Sequence, residues 1–208
     1  MPLFLRNNRP HRMILVCSRF SNVSILHDSF HFPTLDRYRR IWVYLPDGYH
    51  DSDQRYPVIY MHDGQNLFDE MSAFGSEWGV DETLDGVQGK VIIIGIENGA
   101  EHRMSEYMIY DHPEHGPGEG GIYLKDLSEV LKPWVDAHLR TIPNPEQTGI
   151  AGSSMGGLIT LYAGLYLPHV FSVVGVFSPA SQFSGWFLHM NCSTCLLCFV
   201  VILTRLLS

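Results

Sequence analysis

The chain has 208 residues, of which 45% are hydrophobic and 17% charged, and its formal net charge at pH 7 is −8. This length is enough for one α/β domain with a sizeable core and gives no reason to expect two. The negative charge argues against nucleic acid and anionic membrane surfaces as partners.

Residues 1–27 show no clear hydrophobic period and are predicted to be a poorly structured extension, or an over-extended start whose initiator is Met13. The stretch 1–12 is basic, but the apolar run that follows it, 13–17, is too short for a signal-peptide core. Three of the four cysteines lie close together at 192, 195 and 198, so they form no spread disulfide framework. The sequence therefore predicts a reducing, cytoplasmic location.

Beyond residue 28, short apolar strands alternate with helical stretches. Strands are predicted at 40–45, 57–61, 91–96, 148–153 and 171–177, and helices at 80–87, 122–138 and 157–166. The run at 91–96 is apolar without a break, which suits a parallel strand covered on both faces. The alternation predicts an α/β fold for residues 28–181, with a mostly parallel sheet and helices on both faces.

A nucleophile motif, Gly-Ser-Ser-Met-Gly, occupies residues 152–156. A serine at the tip of a sharp strand-to-helix turn needs small residues two positions before and two after it, so that strand and helix can approach closely. Ser154 fits this requirement, whereas Ser153 has Met155 two residues after it. Ser154 is therefore the predicted nucleophile.

A serine nucleophile also requires hydrogen-bond donors for the oxyanion that forms at the attacked carbonyl. The backbone N–H of Met155, at the start of the predicted nucleophile helix, is one candidate. The second is the backbone N–H of Gln65, in the loop that follows the strand 57–61, where Gly64 permits a tight bend. A plain strand-end turn remains the alternative interpretation of this loop.

Five segments, taken in order, resemble the esterase D-like family of α/β hydrolases, which includes enterochelin, feruloyl and acetyl-xylan esterases, S-formylglutathione hydrolases and mycolyltransferases. They lie at 32–37, 39–46, 56–69, 78–84 and 149–157, and the third reads Tyr-Pro-Val-Ile-Tyr-Met-His-Asp-Gly-Gln-Asn-Leu-Phe-Asp. The resemblance implies an α/β-hydrolase fold and a serine-type carboxylic ester hydrolase. It implies Ser154 as nucleophile and Met155 and Gln65 as oxyanion donors, with no cofactor.

The sequence departs from the family pattern after Ser154. In that family an Asp or Glu and then a His complete the triad after two later strands. Residues 155–208 contain no Asp or Glu and one charged side chain, Arg205. Each further helix-plus-strand unit needs roughly 30 residues, so the sheet is predicted to lack its last one or two strands.

Other candidates for the base or acid are His169 and His189 after the motif, and His62, Asp63, His112, His115 and Glu119 before it. His189 lies beyond the carboxyl end of the strand 171–177 and is better placed than His169, but it belongs to the aberrant tail. His169 lies at the sheet edge opposite to the one where ligands bind in such folds. A rescue by the earlier residues requires a new triad geometry.

Residues 182–208 form an aberrant apolar tail that no longer resembles the family. The favoured interpretation is a truncated or frame-shifted gene product, in which unrelated codons replace those for the triad acid and histidine. The apolar core 195–203 is shorter than the roughly 20 residues that span a membrane, which argues against an anchor, and a core helix or a family variant remains open. The cysteine triplet lacks a fourth ligand for an iron–sulfur cluster.

Candidate substrate-lining residues follow the strands 57–61 and 91–96 or lie near them. They are Asp63, Trp78, Asn98, Arg103 and Glu106, each with packing or solvation as the alternative interpretation. His112 and His115 lie in a Pro/Gly loop without a paired carboxylate motif, so no metal is predicted. The expected substrate is a small-molecule or carbohydrate-linked ester, and the sequence does not indicate an oligomeric state.

Two functional hypotheses remain. The first is a serine ester hydrolase that forms an acyl-enzyme through Ser154 and whose activity is impaired by the incomplete triad. The second is a catalytically inactive fragment or binding remnant of such an esterase. An acyltransferase is a variant of the first hypothesis.

Overall fold

A computed structural model describes residues 22–180, Phe183 and the short strand at 201–202. Its strands form one seven-stranded sheet. In chain order they are β1 Val23–Phe32, β2 Arg37–Tyr44, β3 Val58–His62, β4 Ile92–Ile96, β5 Thr148–Ser154, β6 Val173–Pro179 and β7 Val201–Ile202. The predicted strands at 40–45, 57–61, 91–96, 148–153 and 171–177 are thus confirmed, with ends that differ by a few residues.

The spatial order of the strands is β1-β2-β4-β3-β5-β6-β7. Strands β4, β3, β5 and β6 run parallel to one another, while β2 is antiparallel to both β1 and β4. Parallel neighbours need long crossovers, which the helices supply, and β1 and β2 are joined by a tight turn. The predicted mostly parallel sheet with helices is confirmed.

The far edge of the sheet carries one short strand beyond β6. The two-residue strand β7 comes from the predicted tail and pairs antiparallel with β6, with Val201 opposite Val176. The remaining tail residues, apart from Phe183, lie outside the described part of the chain. Backbone pairing at this edge is therefore supplied by a segment that the sequence did not predict to be a strand.

Three main helical regions cover the sheet. They are α1 Val80–Gly86, the long region Gly120–His138, and α5 Met155–Tyr166, with a short helix α2 at Arg103–Glu106. The long region consists of α3 Gly120–Asp126, a π-helical turn Leu127–Leu131 and α4 Lys132–His138. One face of this region packs into the core, because Leu127, Leu131 and Val135 are fully buried.

Alternate residues of the central strands pack into two apolar clusters, one on each face of the sheet. Ile92, Ile94 and Ile96 of β4 pack with α3, α4 and α5 on one face. Ile93 packs on the other face with Leu67, Phe68 and part of α1. This period-two alternation gives the sheet an apolar surface for helices on both faces. Because β3, β4, β5 and β6 run parallel, their carboxyl ends lie together at one edge.

The predicted extension 1–27 is wrong over its last residues, because β1 begins at Val23 and pairs with β2. Two register irregularities, around His27, interrupt the alternation of apolar and polar residues along β1. Its first five residues are only half-buried, so the strand lacks the apolar run that marks β4. Residues 1–21 of the predicted extension lie outside the described residues.

Candidate active site

Ser154 lies at the sharp turn where β5 ends and α5 begins. Its backbone has φ 55° and ψ −121°, a conformation that non-glycine residues rarely adopt. Its side chain is exposed, whereas Ser153 is half-buried within β5. The structure therefore presents the hydroxyl of Ser154 and not that of Ser153 at the carboxyl edge of the sheet.

The glycines around Ser154 are required by close backbone contacts. A Cβ atom on Gly152 would lie 2.7 Å from the carbonyl carbon and oxygen of Gly156, and one on Gly157 would lie 2.8 Å from the carbonyl oxygen of Phe177. A Cβ on Gly156 would approach the carboxylate of Asp63 to 3.1 Å. The small residues of the motif thus allow strand and helix to meet at the turn.

The predicted oxyanion donors directly follow the adjacent parallel strands β3 and β5. Gln65 belongs to a 3₁₀ turn, Gly64–Asn66, directly after β3, and Met155 is the first residue of α5. A Cβ on Gly64 would lie 2.6 Å from the carbonyl carbon of Gly95, so this turn packs tightly against β4. Because β3 and β5 pair in parallel, both backbone N–H groups lie at the same sheet edge as Ser154. Their role as oxyanion donors stays a prediction.

Asp63, Arg103 and Asn98 form a hydrogen-bonded group, called here the charged clamp, that contacts the Gln65 turn. Arg103 Nε and Nη2 donate to the two Asp63 carboxylate oxygens at 2.7 and 2.9 Å. Asn98 Nδ2 donates to the same carboxylate at 2.7 Å, and the Asn98 backbone N–H donates to Gln65 Oε1 at 3.3 Å. Burial lowers the pKa of Arg103, but the bond and charge of Asp63 outweigh this and raise it.

The clamp joins the loops after β3 and β4. Asp63 adopts a left-handed conformation, φ 56° and ψ 47°, and its carboxylate points toward Gly156 at the start of α5. Asp63, Asn98 and Arg103 are therefore together at the predicted edge. Their main visible role is to hold the Gln65 turn, and contact with a substrate remains a prediction for them.

Glu106 is not a substrate-lining residue, and that prediction is wrong. Its side chain is fully buried and forms ion pairs with Arg37 Nη1 at 2.8 Å and Arg39 Nη2 at 2.5 Å. A Cβ on Gly99 would overlap its carboxylate. A carboxylate so enclosed balances the buried Arg39 and the partly exposed Arg37 and cannot meet a ligand in an open cleft.

Trp78 lies at the rim of the same edge. Its side chain is 40% exposed and packs edge-to-face against Phe177 near the end of β6, with ring centroids 5.4 Å apart. Phe177 is the register partner of Ser153. This position is that of a residue at the rim of the site, and contact of Trp78 with a substrate stays a prediction.

His62 is the histidine packed against the nucleophile turn. A Cβ on Gly152 would lie 3.0 Å from its Cδ2, and its Nδ1 lies 2.8 Å from the hydroxyl of Tyr123. Burial lowers the pKa of His62 to about 4, so the ring is neutral near pH 7. Its buried Nε2 has no hydrogen-bond partner in the described part of the chain. The sequence placed His62 at this edge but gave no sign of this buried packing.

Among the described residues, the other candidates for a base or acid do not combine with Ser154 into a triad. Glu119 is bound by Arg37 and Ser105, and its pKa is lowered chiefly by the Arg37 hydrogen bond. His169 is exposed in the turn between α5 and β6, at the edge predicted for it. His189 lies outside the described residues. Within the described part of the chain, no side chain hydrogen-bonds to the Ser154 hydroxyl.

Comparison with known proteins connects this geometry to a family. The model of the family described as "Putative esterase" matches residues 33–192. The uncharacterized protein YbbA of Bacillus subtilis is 29% identical over 146 residues, which cover 67% of this chain and 56% of that protein. Esterase Rv1288 of Mycobacterium tuberculosis is 32% identical over 143 residues, which cover 67% of this chain and 29% of that protein.

A solved structure has the same fold. The IroE-like serine hydrolase from Shewanella oneidensis superposes with a TM-score of 0.64 at 26% identity, over 77% of this chain and 52% of that one. The predicted α/β-hydrolase fold is therefore confirmed. None of the described helices is both long and apolar enough to cross a membrane.

The chain spans about half the length of YbbA and less than a third of Esterase Rv1288. The part of this chain that the family model matches contains β2 to β6, the Gln65 turn and the turn at Ser154. Since the family model matches well over half of the residues, this chain belongs to the esterase family that the model describes.

Proposed function

We propose that this chain acts on carboxylic esters through Ser154. The Ser154 Oγ adds to the ester carbonyl, the alcohol leaves with a proton, and an acyl-enzyme forms; water then releases the acid and regenerates the hydroxyl. The observation that supports this most directly is the exposed Ser154 in its strained turn, φ 55°, enclosed by glycines that admit no Cβ. The family's esterases and the IroE-like serine hydrolase agree with this chemistry.

The proposed substrate is a small-molecule or carbohydrate-linked ester. Trp78 offers an aromatic face at the rim, and the polar Asn98 and Arg103 lie close by at the same edge. The N–H groups of Gln65 and Met155 are the proposed oxyanion donors. The cytoplasmic location indicated by the cysteine spacing belongs to this proposal, and transfer to an alcohol acceptor in place of water is a variant of it.

The test compares Ser154→Ala with a matched control, Ser153→Ala, which removes the neighbouring hydroxyl from the same strand. Hydrolysis of a short p-nitrophenyl ester and covalent labelling by a fluorophosphonate should be lost in Ser154→Ala and kept in Ser153→Ala. Equal rates and equal labelling in the wild type and Ser154→Ala would rule out Ser154 as the nucleophile.

We further propose that turnover by this chain is slow. The support is that Ser154 has no hydrogen-bonded base among the described residues and that the adjacent His62 is buried, neutral and bonded to Tyr123. Serine hydrolases that lack the histidine lose on the order of 10⁶ in turnover but keep about 10³ to 10⁴ over water. A catalytically inactive binding remnant is the alternative, and it predicts neither turnover nor labelling of Ser154.

A further inference from the structure

The loop between α2 and α3 forms a closed turn at residues 111–118. His112 N–H donates to the Gly116 carbonyl at 2.8 Å, and Gly116 N–H donates back to the His112 carbonyl at 2.9 Å. Asp111 Oδ1 accepts a bond from the Gly118 N–H at 3.1 Å. Gly116 has φ +79°, which a side chain would strain. These bonds hold the residues between His112 and Gly116 in a compact arrangement.

Both ends of this turn are fixed to the body of the protein. The N–H of Gly120 donates to the Met108 carbonyl at 2.7 Å, and the N–H of Glu119 donates to the Ser105 carbonyl at 2.8 Å. A Cβ on Gly118 would lie 2.6 Å from the Ile109 carbonyl carbon, so the backbone passes in direct contact there. The turn is therefore preorganised and does not have to be assembled by a ligand.

Three potential metal ligands project from the turn. His112, Glu114 and His115 each offer one ligand atom, and these atoms lie within 4.8 Å of one another. Of the residues that the structure describes, only this group brings three such atoms together. The two imidazoles stack at a centroid distance of 4.8 Å, and Phe183 packs edge-on against both, at 5.5 and 5.6 Å.

We propose that His112, Glu114 and His115 bind a divalent transition metal of the zinc class, with water in the fourth position. Two imidazoles and one carboxylate are a ligand set that Zn²⁺ accepts, whereas Mg²⁺ and Ca²⁺ prefer oxygen ligands alone. The chain carries a net charge of −8, which also favours a cation. This site lies outside the proposed esterase chemistry and does not depend on it.

Binding requires a small contraction of the ligand set. Zinc–nitrogen bonds measure about 2.0 to 2.1 Å, so the ligand atoms must close in from their present spacing. Glu114 and His115 are exposed and can do so by side-chain rotation. His112 Nδ1 accepts a 3.2 Å bond from the Glu114 N–H, and coordination through either ring nitrogen displaces that one long bond.

The site connects to the nucleophile turn through Phe183. The Phe183 N–H donates to the Ala180 carbonyl at 3.1 Å, and the Ala180 N–H donates to the Ser154 carbonyl at 2.9 Å. Because Phe183 packs on both imidazoles, a bound metal would fix the loop after α2 against the segment after β6. The expected consequence is a more rigid rim beside Ser154.

The experiment is a calorimetric titration of the full chain with Zn²⁺ alone, at a slightly alkaline pH. His115→Ala is the test variant because backbone bonds between His112 and Gly116 close the turn, and the substitution keeps both of them. His169→Ala is the matched control, an exposed histidine at the opposite sheet edge. The bound stoichiometry should fall by one in His115→Ala and stay unchanged in His169→Ala.

A second variant separates ligation from a general histidine effect. Glu114→Gln keeps both imidazoles and removes the carboxylate ligand, so it should weaken the same site by at least the roughly tenfold that loss of an outer-shell partner costs. Zinc bound by the cysteines is the same in all variants, so the difference in bound zinc between variants counts this site alone. Equal stoichiometry and affinity in the wild type and His115→Ala, or the same loss in His169→Ala, would overturn the proposal.

Discussion

Gly152 lies where the strand and the helix around Ser154 come closest. A methyl group there would meet the Gly156 backbone at 2.7 Å and the His62 ring at 3.0 Å. Since the 2.7 Å contacts are backbone atoms, no side-chain rotation relieves them. Gly152→Ala should therefore lower the free energy of unfolding by about 2 kcal/mol and abolish fluorophosphonate labelling of Ser154.

Gly121→Ala is the control for this prediction. A Cβ at Gly121 meets nothing within 4 Å on the exposed side of α3, so the change should stabilise the protein by about 0.5 to 1 kcal/mol. Urea unfolding and probe labelling of both variants provide the measurements. Full labelling of Gly152→Ala would show that the turn tolerates a wider strand-to-helix spacing than the glycines indicate.

Asp81, in the first turn of α1, should make the free energy of unfolding depend on pH. The residue is 1% exposed, and both carboxylate oxygens are buried without a hydrogen-bond partner in the described part of the chain. Burial raises the pKa of Asp81 to about 7, and the nearby carboxylates of Glu82 and Glu77 add to this. Helix α1 thus carries a carboxyl group that the fold prefers to keep protonated.

The sign of this effect follows from the two pKa values. The unfolded chain loses the Asp81 proton near pH 4 and the folded chain near pH 7, so stability falls as the pH rises between them. Relative to Asp81→Asn, the wild type should lose on the order of 3 kcal/mol of unfolding free energy between about pH 4 and pH 8. Urea denaturation across this range measures the difference, and a parallel pH dependence in the two proteins would contradict it. Asp53→Asn, at an exposed site, should track the wild type.

The elements differ in how well the sequence predicts them. Strand β4 is apolar throughout because both of its faces are covered, and its bounds follow from that run alone. Strand β1 is missed because irregularities around His27 break its alternation. Contacts between distant residues leave no local signal, so the enclosure of Glu106 by Arg37 and Arg39 is visible only in the fold.

Across the whole molecule, the parts of a serine hydrolase site that are built from backbone are present, whereas a base bonded to Ser154 is not among the described residues. The nucleophile turn and the predicted oxyanion turn depend on backbone contacts among β3, β4 and β5, all of which are described. Small residues are needed where backbones approach closely, so a motif of small residues indicates such contacts. For this reason Ser154 could be predicted from the sequence. A general base depends on side chains brought together from distant positions, and within the described residues no side chain hydrogen-bonds to the Ser154 hydroxyl.

Because the nucleophile turn is present and a bonded base is not, we expect free imidazole in solution to act as the base and to raise the rate of hydrolysis. A positioned base contributes about 10² to 10⁴ in rate, and an external one recovers only part of this because it is not held in place. Imidazole should therefore raise the Ser154-dependent hydrolysis of a p-nitrophenyl ester by roughly tenfold. Subtracting the rate of Ser154→Ala removes the direct reaction of imidazole with the ester. A fast Ser154-dependent rate that imidazole does not change would show instead that the chain supplies its own base.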